Sequence, residues 1–158
     1  MARLTPQFSA ARTVREYTEQ HYLPAATAYQ LRTANKGALG KQIVEWRHSL
    51  AQKWAAIHFG ELKVHTIDAQ HVFELQVVLA DVETTAVRVE MFADGLQDDV
   101  PTHQEMSRVS PMDGVPGGHI YGTTMPATRP AWDYTPRVMP KLEGVTVPLE
   151  NNLIVWQR

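Results

Sequence analysis

The stretch LGKQIVEWRHSLAQKWAAIHFGELKV, residues 39–64, contains the change of period that decides the fold. Leu39, Ile43, Trp46, Leu50, Trp54 and Ile57 follow at steps of four, three, four, four and three, which sets all six on one stripe of an α-helix. Lys41, Glu45, His48 and Gln52 fall on the opposite face. Gly60 is expected to close the helix as a carboxy-terminal cap, because glycine takes left-handed dihedrals without steric cost. From Glu61 the period is two: Leu62 and Val64 alternate, then Phe73, Leu75, Val77 and Leu79, then Val87, Val89 and Met91. A helix that must bury a stripe, followed by strands that each bury one face, predicts an α+β chain.

Upstream of this stretch, Ser9 is placed after Pro6 to cap a helix on which Ala10, Val14, Tyr17 and His21 recur at helical spacing. The reciprocal acid of a capping box is missing, since Arg12 stands three residues on. Pro24 either ends this helix or opens the next, and Asn35-Lys36-Gly37 supplies a break, so the amino-terminal part reads as a helical hairpin. Downstream, the polar segments 81–85 and 94–99 separate strands, and further strands are expected over 103–110, 118–125, 133–139 and 152–157. About seven short strands with no helical pattern between them predict an antiparallel β-sandwich. The domain division that follows is a helical segment over 1–59 and a sandwich over 60–158.

Composition narrows the function. The 158 residues carry 17 acids and 15 bases with no charge run, so neither nucleic acid nor an anionic membrane is an expected partner. The absence of cysteine excludes disulfides, zinc thiolates and thiol catalysis and fits the cytoplasm. The opening residues, Met1 to Gln7, lack the apolar core of a signal peptide. No run reaches the roughly 18 apolar residues of a membrane span, so a soluble protein is expected.

Few groupings suggest chemistry. His65 and His71 flank Asp68 across a strand, a turn and a strand, without the helical two-histidine spacing of metalloproteases, and read as hairpin residues rather than metal ligands. The glycines of 114–118 are followed by no Lys-Ser/Thr pair, and neither Ser49 nor Ser110 lies in a Gly-x-Ser-x-Gly setting. Asp98 and Asp99 are neighbours in a turn, whereas glycoside hydrolysis needs carboxylates that face across a cleft. Tyr121, Trp132, Tyr134 and Trp156 are either core aromatics or a platform on which a sugar ring stacks. No catalytic, cofactor-binding or metal-binding residue is assigned.

Phe8-Ser9-Ala10-Ala11-Arg12-Thr13-Val14-Arg15-Glu16-Tyr17 resembles the Phe-Ser-x-x-Arg-Thr-Ile/Val-x-x-Tyr segment near the end of the catalytic region of glycogen, starch and maltodextrin phosphorylases. Tyr22-Leu23-Pro24-Ala25-Ala26 continues the likeness. Arg129-Pro130-Ala131-Trp132-Asp133-Tyr134-Thr135-Pro136-Arg137-Val138, Val147-Pro148-Leu149-Glu150 and Ile154-Val155-Trp156-Gln157-Arg158 are similar to the tail of bacterial and archaeal α-glucan phosphorylases with an additional carboxy-terminal domain. Ala11 departs from the pattern, since many phosphorylases have Asp in this segment, and Ser9 is left to supply the cap alone.

The resemblance implies a parent enzyme that uses pyridoxal phosphate and orthophosphate to release glucose 1-phosphate from an α-1,4-glucan. In that family the cofactor lysine and the sugar- and phosphate-binding residues precede the Phe-Ser segment. The chain is therefore expected to hold no cofactor, to be inactive alone, and to serve a structural or assembly role beside the upstream catalytic region. Arg12, Tyr17 and Tyr22 are the expected contacts with that region. Trp46 and Trp54 are the expected contacts of a stand-alone oligomerisation domain, and Tyr121, Trp132 and Trp156 those of a glucan-binding module.

Overall fold

The computed structural model describes residues 10–95 and 100–157, so Phe8, the Ser9 cap and the Asp98-Asp99 turn lie outside the described residues. Helix α1 (Ala10–Tyr17) runs through a π-helical turn, Thr18–Tyr22, into α2 (Leu23–Lys53). Pro24 accounts for the wide turn. It has no N–H to give to the Gln20 carbonyl and its ring crowds that oxygen, so the coil widens and the Leu23 N–H reaches the Thr18 carbonyl instead. Helical dihedrals fail at Ala34 (ψ 154°), after which Asn35, Lys36 and Gly37 take left-handed values (φ 50°, 59° and 77°). The break falls where the Asn-Lys-Gly triplet predicts it.

Two compact units result, Met1–Glu45 and Trp46–Arg158. The division lies inside α2 and not at the expected 59/60 boundary, because the final turns of the striped helix belong to the β unit. Leu50, Trp54 and Ile57 are members of its core cluster, and Trp46 packs against that cluster. Lys41, Glu45, His48 and Gln52 are exposed, as the stripe requires.

Gly60 does not cap the helix. After a 3-10 turn at Trp54–Ala56 the chain is already extended in β1 (His58–Ile67), and Gly60 sits at a bulge between Phe59 and Leu62. The bulge restores Leu62 and Val64 to the face that Phe59 occupies. A side chain at position 60 would meet Gln76 Oε1 at 2.7 Å, in the space from which Gln76 accepts the Glu61 N–H at 3.3 Å.

The remaining strands are β2 (Gln70–Val78), β3 (Val87–Ala93), β4 (Thr102–Glu105), β5 (Ser107–Pro111), β6 (Gly118–Pro126), β7 (Thr135–Pro140) and β8 (Val155–Trp156). They form two antiparallel sheets of four strands, ordered β1-β2-β6-β5 and β4-β3-β7-β8. Among the described residues the count is eight where about seven were expected, because the predicted strand over 103–110 is two strands in different sheets. β4 pairs with β3 and β5 pairs with β6, and Met106 stands between them. Phe73, Leu75 and Val77 of one sheet and Val87, Val89, Met91 and Val138 of the other bury their side chains in a single cluster.

Leu50→Ala is expected to lower the unfolding free energy by about 3 kcal/mol, and Val44→Ala on the same helix to change it by less than about 0.5 kcal/mol. Urea denaturation followed by tryptophan fluorescence measures both; equal effects would contradict the burial of the stripe.

Candidate functional site

The outward side of the second sheet carries a connected polar arrangement. Alternation along β3 sends Val87, Val89 and Met91 inward and Arg88, Glu90 and Phe92 outward. Register then sets one transverse row: Glu105 on β4 opposes Glu90 on β3, Glu90 opposes Arg137 on β7, and Arg137 opposes Trp156 on β8. Glu90 is only 1% exposed. A buried carboxylate remains ionised only beside a compensating charge. Arg137 supplies it, reaching Glu90 Oε1 through both Nε and Nη2. Arg88 Nε lies 3.3 Å from Oε2 but makes no aligned hydrogen bond, so its contribution is Coulombic.

Arg137 is further fixed by aromatic faces. Its guanidinium carbon lies 4.3 Å from the Phe92 centroid and 4.9 Å from that of Trp156, and the two rings meet at 5.4 Å. Glu105, the other acid of the row, accepts a hydrogen bond from Lys141 Nζ at 2.7 Å. These residues escape a sequence reading because Val87-Arg88-Val89-Glu90-Met91 looks like a strand with a solvated charged face. Only the pairing of β3 with β7 brings Arg137 over Glu90.

Beside this row, where β4 passes into β5, a cavity of about 620 Å³ opens between the sheets. Arg88, Glu105, Arg108 and Lys141 line it, together with Tyr121 from β6. Burial pushes the Tyr121 phenol above its usual range, and the Arg108 charge opposes that rise. Partial burial, then the same arginine, holds His119 below the usual imidazole range.

The sequence-predicted residues disperse. Tyr121 is in the core cluster and 5% exposed, so it offers no open face to a sugar. Trp132, 84% exposed, sits on the 3-10 turn Ala131–Asp133, and Trp156 is the edge residue stacked on Arg137. Tyr134 is a core residue whose ring meets Phe73 edge-on at 5.6 Å. Trp54 is buried in the core cluster and Trp46, partly buried, packs against it. Tyr17 and Tyr22 are exposed, and Arg12 pairs with Glu16 at 3.0 Å.

His65 pairs with Val72 and His71 with Thr66, which places the two imidazoles on opposite faces of the β1–β2 hairpin. His71 is buried. Its Nε2 donates to the Arg129 carbonyl at 2.8 Å, which leaves Nδ1 to accept from the Thr66 hydroxyl at 2.8 Å. Both ring nitrogens are thus engaged in holding the loop before β7. Lys36, Lys41, Lys53, Lys63 and Lys141 are all exposed, whereas a Schiff-base lysine requires an enclosed ring-stacking pocket, so the lysines do not fit pyridoxal phosphate.

Among the described residues no helix is long and apolar enough to cross a membrane. No family model, curated protein or solved structure matches the chain.

Glu90→Gln is expected to cost about 3 kcal/mol of stability, because it removes the carboxylate that the largely buried Arg137 is paired with. The double variant Glu90→Leu, Arg137→Met is expected to recover most of that loss. Urea midpoints decide the matter, and a single variant as stable as the parent would show that the pair is not a buried ion pair.

Proposed function

We propose that the chain is the carboxy-terminal accessory portion of an α-glucan phosphorylase, non-catalytic alone, whose helical segment docks on an upstream catalytic region. In this reading the helices on either side of residues 34–37 form a hairpin and the two sheets form a β-sandwich that serves assembly. One observation carries it: large apolar side chains within and after the phosphorylase-like motif stand exposed along the helical segment. Val14, Tyr17, Tyr22, Leu23, Tyr29 and Leu31 are 54–69% exposed. Large exposed apolar groups in such number mark surfaces that meet another protein surface. Tyr17 and Tyr22, two residues of the resemblance, are among them, and Arg12 lies on the same helix as Tyr17.

Two measurements test this. The genomic frame immediately before the Met1 codon is expected to stay open and to encode a lysine in a pyridoxal phosphate setting, and a stop codon directly upstream would overturn the joined-enzyme reading. Purified chain incubated with maltooligosaccharide and orthophosphate is expected to form no glucose 1-phosphate above the blank, and formation of the product would overturn the non-catalytic reading.

The exposure of Trp132 favours a second reading, a glucan-binding module that raises local substrate concentration through stacking. Calorimetry with a maltooligosaccharide separates the two, since binding that is lost in Trp132→Ala belongs only to the module.

A further inference from the structure

We propose that the cavity at the passage from β4 to β5 binds a small phosphate monoester of about sugar size. This inference is independent of the glucan reading, because it rests on the cavity alone. The volume, about 620 Å³, lies well within the range of small-molecule sites and exceeds what orthophosphate fills. Three permanent cations line it, Arg88, Arg108 and Lys141, against one carboxylate, Glu105. Three minus one leaves a net charge of +2 around a concave surface, in a chain whose total is −2. Concave low-dielectric walls concentrate such a field.

The cations differ in what they already hold. Lys141 is engaged by Glu105, and Arg88 shares Glu90 with Arg137. No carboxylate among the described residues pairs with Arg108. Arg108 stands opposite Tyr121 across the β5–β6 ladder, and its charge is felt by both Tyr121 and His119.

A dianion balances the +2, and the tetrahedral oxygens of a phosphoryl group can take donors from several directions, as these separated side chains offer. A carboxylate has one charge and one plane. The hydroxyl of Ser107, together with the apolar side of Met106, suits the polyol body of the ester. The acidic balance of the whole chain argues against a nucleic acid strand as the occupant.

Isothermal titration of the full chain with glucose 6-phosphate, glucose and orthophosphate tests the proposal. Glucose 6-phosphate is expected to bind saturably with a Kd of about 1 mM or tighter, orthophosphate more weakly, and glucose not at all. Arg108→Gln is expected to weaken glucose 6-phosphate by about tenfold or more. Glu105→Gln is expected to strengthen it, because it frees Lys141. Both positions are exposed, so unchanged unfolding midpoints certify the fold of each variant. Absence of saturable heat with glucose 6-phosphate, equal binding of glucose, or full affinity in Arg108→Gln would each overturn the assignment. Orthophosphate binding as tightly as the ester would overturn the monoester.

Discussion

Residues 102–111 form the edge strands of both sheets, and the rest of the β unit depends on how that one segment is held. The Met106 N–H donates to the Val89 carbonyl at 2.8 Å, which ends the pairing with the second sheet, and at Ser107 pairing with β6 begins. A register shift between Arg108 and Ser110 gives the chain the bend that this change of partner needs. On this side the sheets are joined by continuous backbone, β4 closing one sheet and β5 the other. The bend also spreads the sheets locally. Glu105, Met106, Ser107 and Arg108, the four residues at the crossing, all line the cavity, so the same constraint that seals the core on one side creates the pocket beside it.

The core is also covered by the final turns of α2, and there volume outweighs hydrogen bonding. The Nε1 atoms of Trp46 and Trp54 are buried without acceptors. An unpaired buried donor costs about 1–3 kcal/mol. Removing 150–250 Å² of indole from water returns about 4–6 kcal/mol at the usual coefficient. Burial therefore wins for Trp54, which is 6% exposed, provided that the sheets supply a surface wide enough to cover it. Phe73, Leu75 and Val77, with the inward residues of the second sheet, provide a cluster of that extent.

This balance explains which features were legible in the sequence. The Leu39 to Ile57 stripe and the alternation from Leu62 to Met91 record which side of each element is buried, and burial is what periodicity reports. The break at residues 34–37 was legible because Asn and Gly accept left-handed dihedrals. Gly60 was misread because a helix cap and a β-bulge both favour glycine, and only the position of Gln76 separates them. The strand over 103–110 was read as one because the pattern of its side chains carries no record of a change in hydrogen-bond partner. The row from Glu105 to Trp156 was invisible for a related reason: its members lie on four strands, and alternation alone assigns charged outward residues to solvent. The aromatics of the later strands were legible as a group but not by destination. Tyr121 and Tyr134 joined the core, whereas Trp132 remained exposed on a turn.

The charges of the second sheet and of the cavity are one system, because Arg88 belongs to both. Glu90 and Glu105 oppose each other directly on β3 and β4, an arrangement that is destabilising unless cations intervene. Arg137 and Lys141 neutralise the two acids one for one. Arg137 is held on two aromatic faces and is already committed, which makes Arg88 a surplus positive charge at the cavity wall. Its unaligned contact with Glu90 leaves it anchored by attraction rather than by geometry. Arg108 adds a second uncompensated charge from the other sheet. Two sheets thus each contribute one excess cation to the same space, at the point where a single strand obliges them to meet, and the positive field there follows from the crossing as much as from the composition.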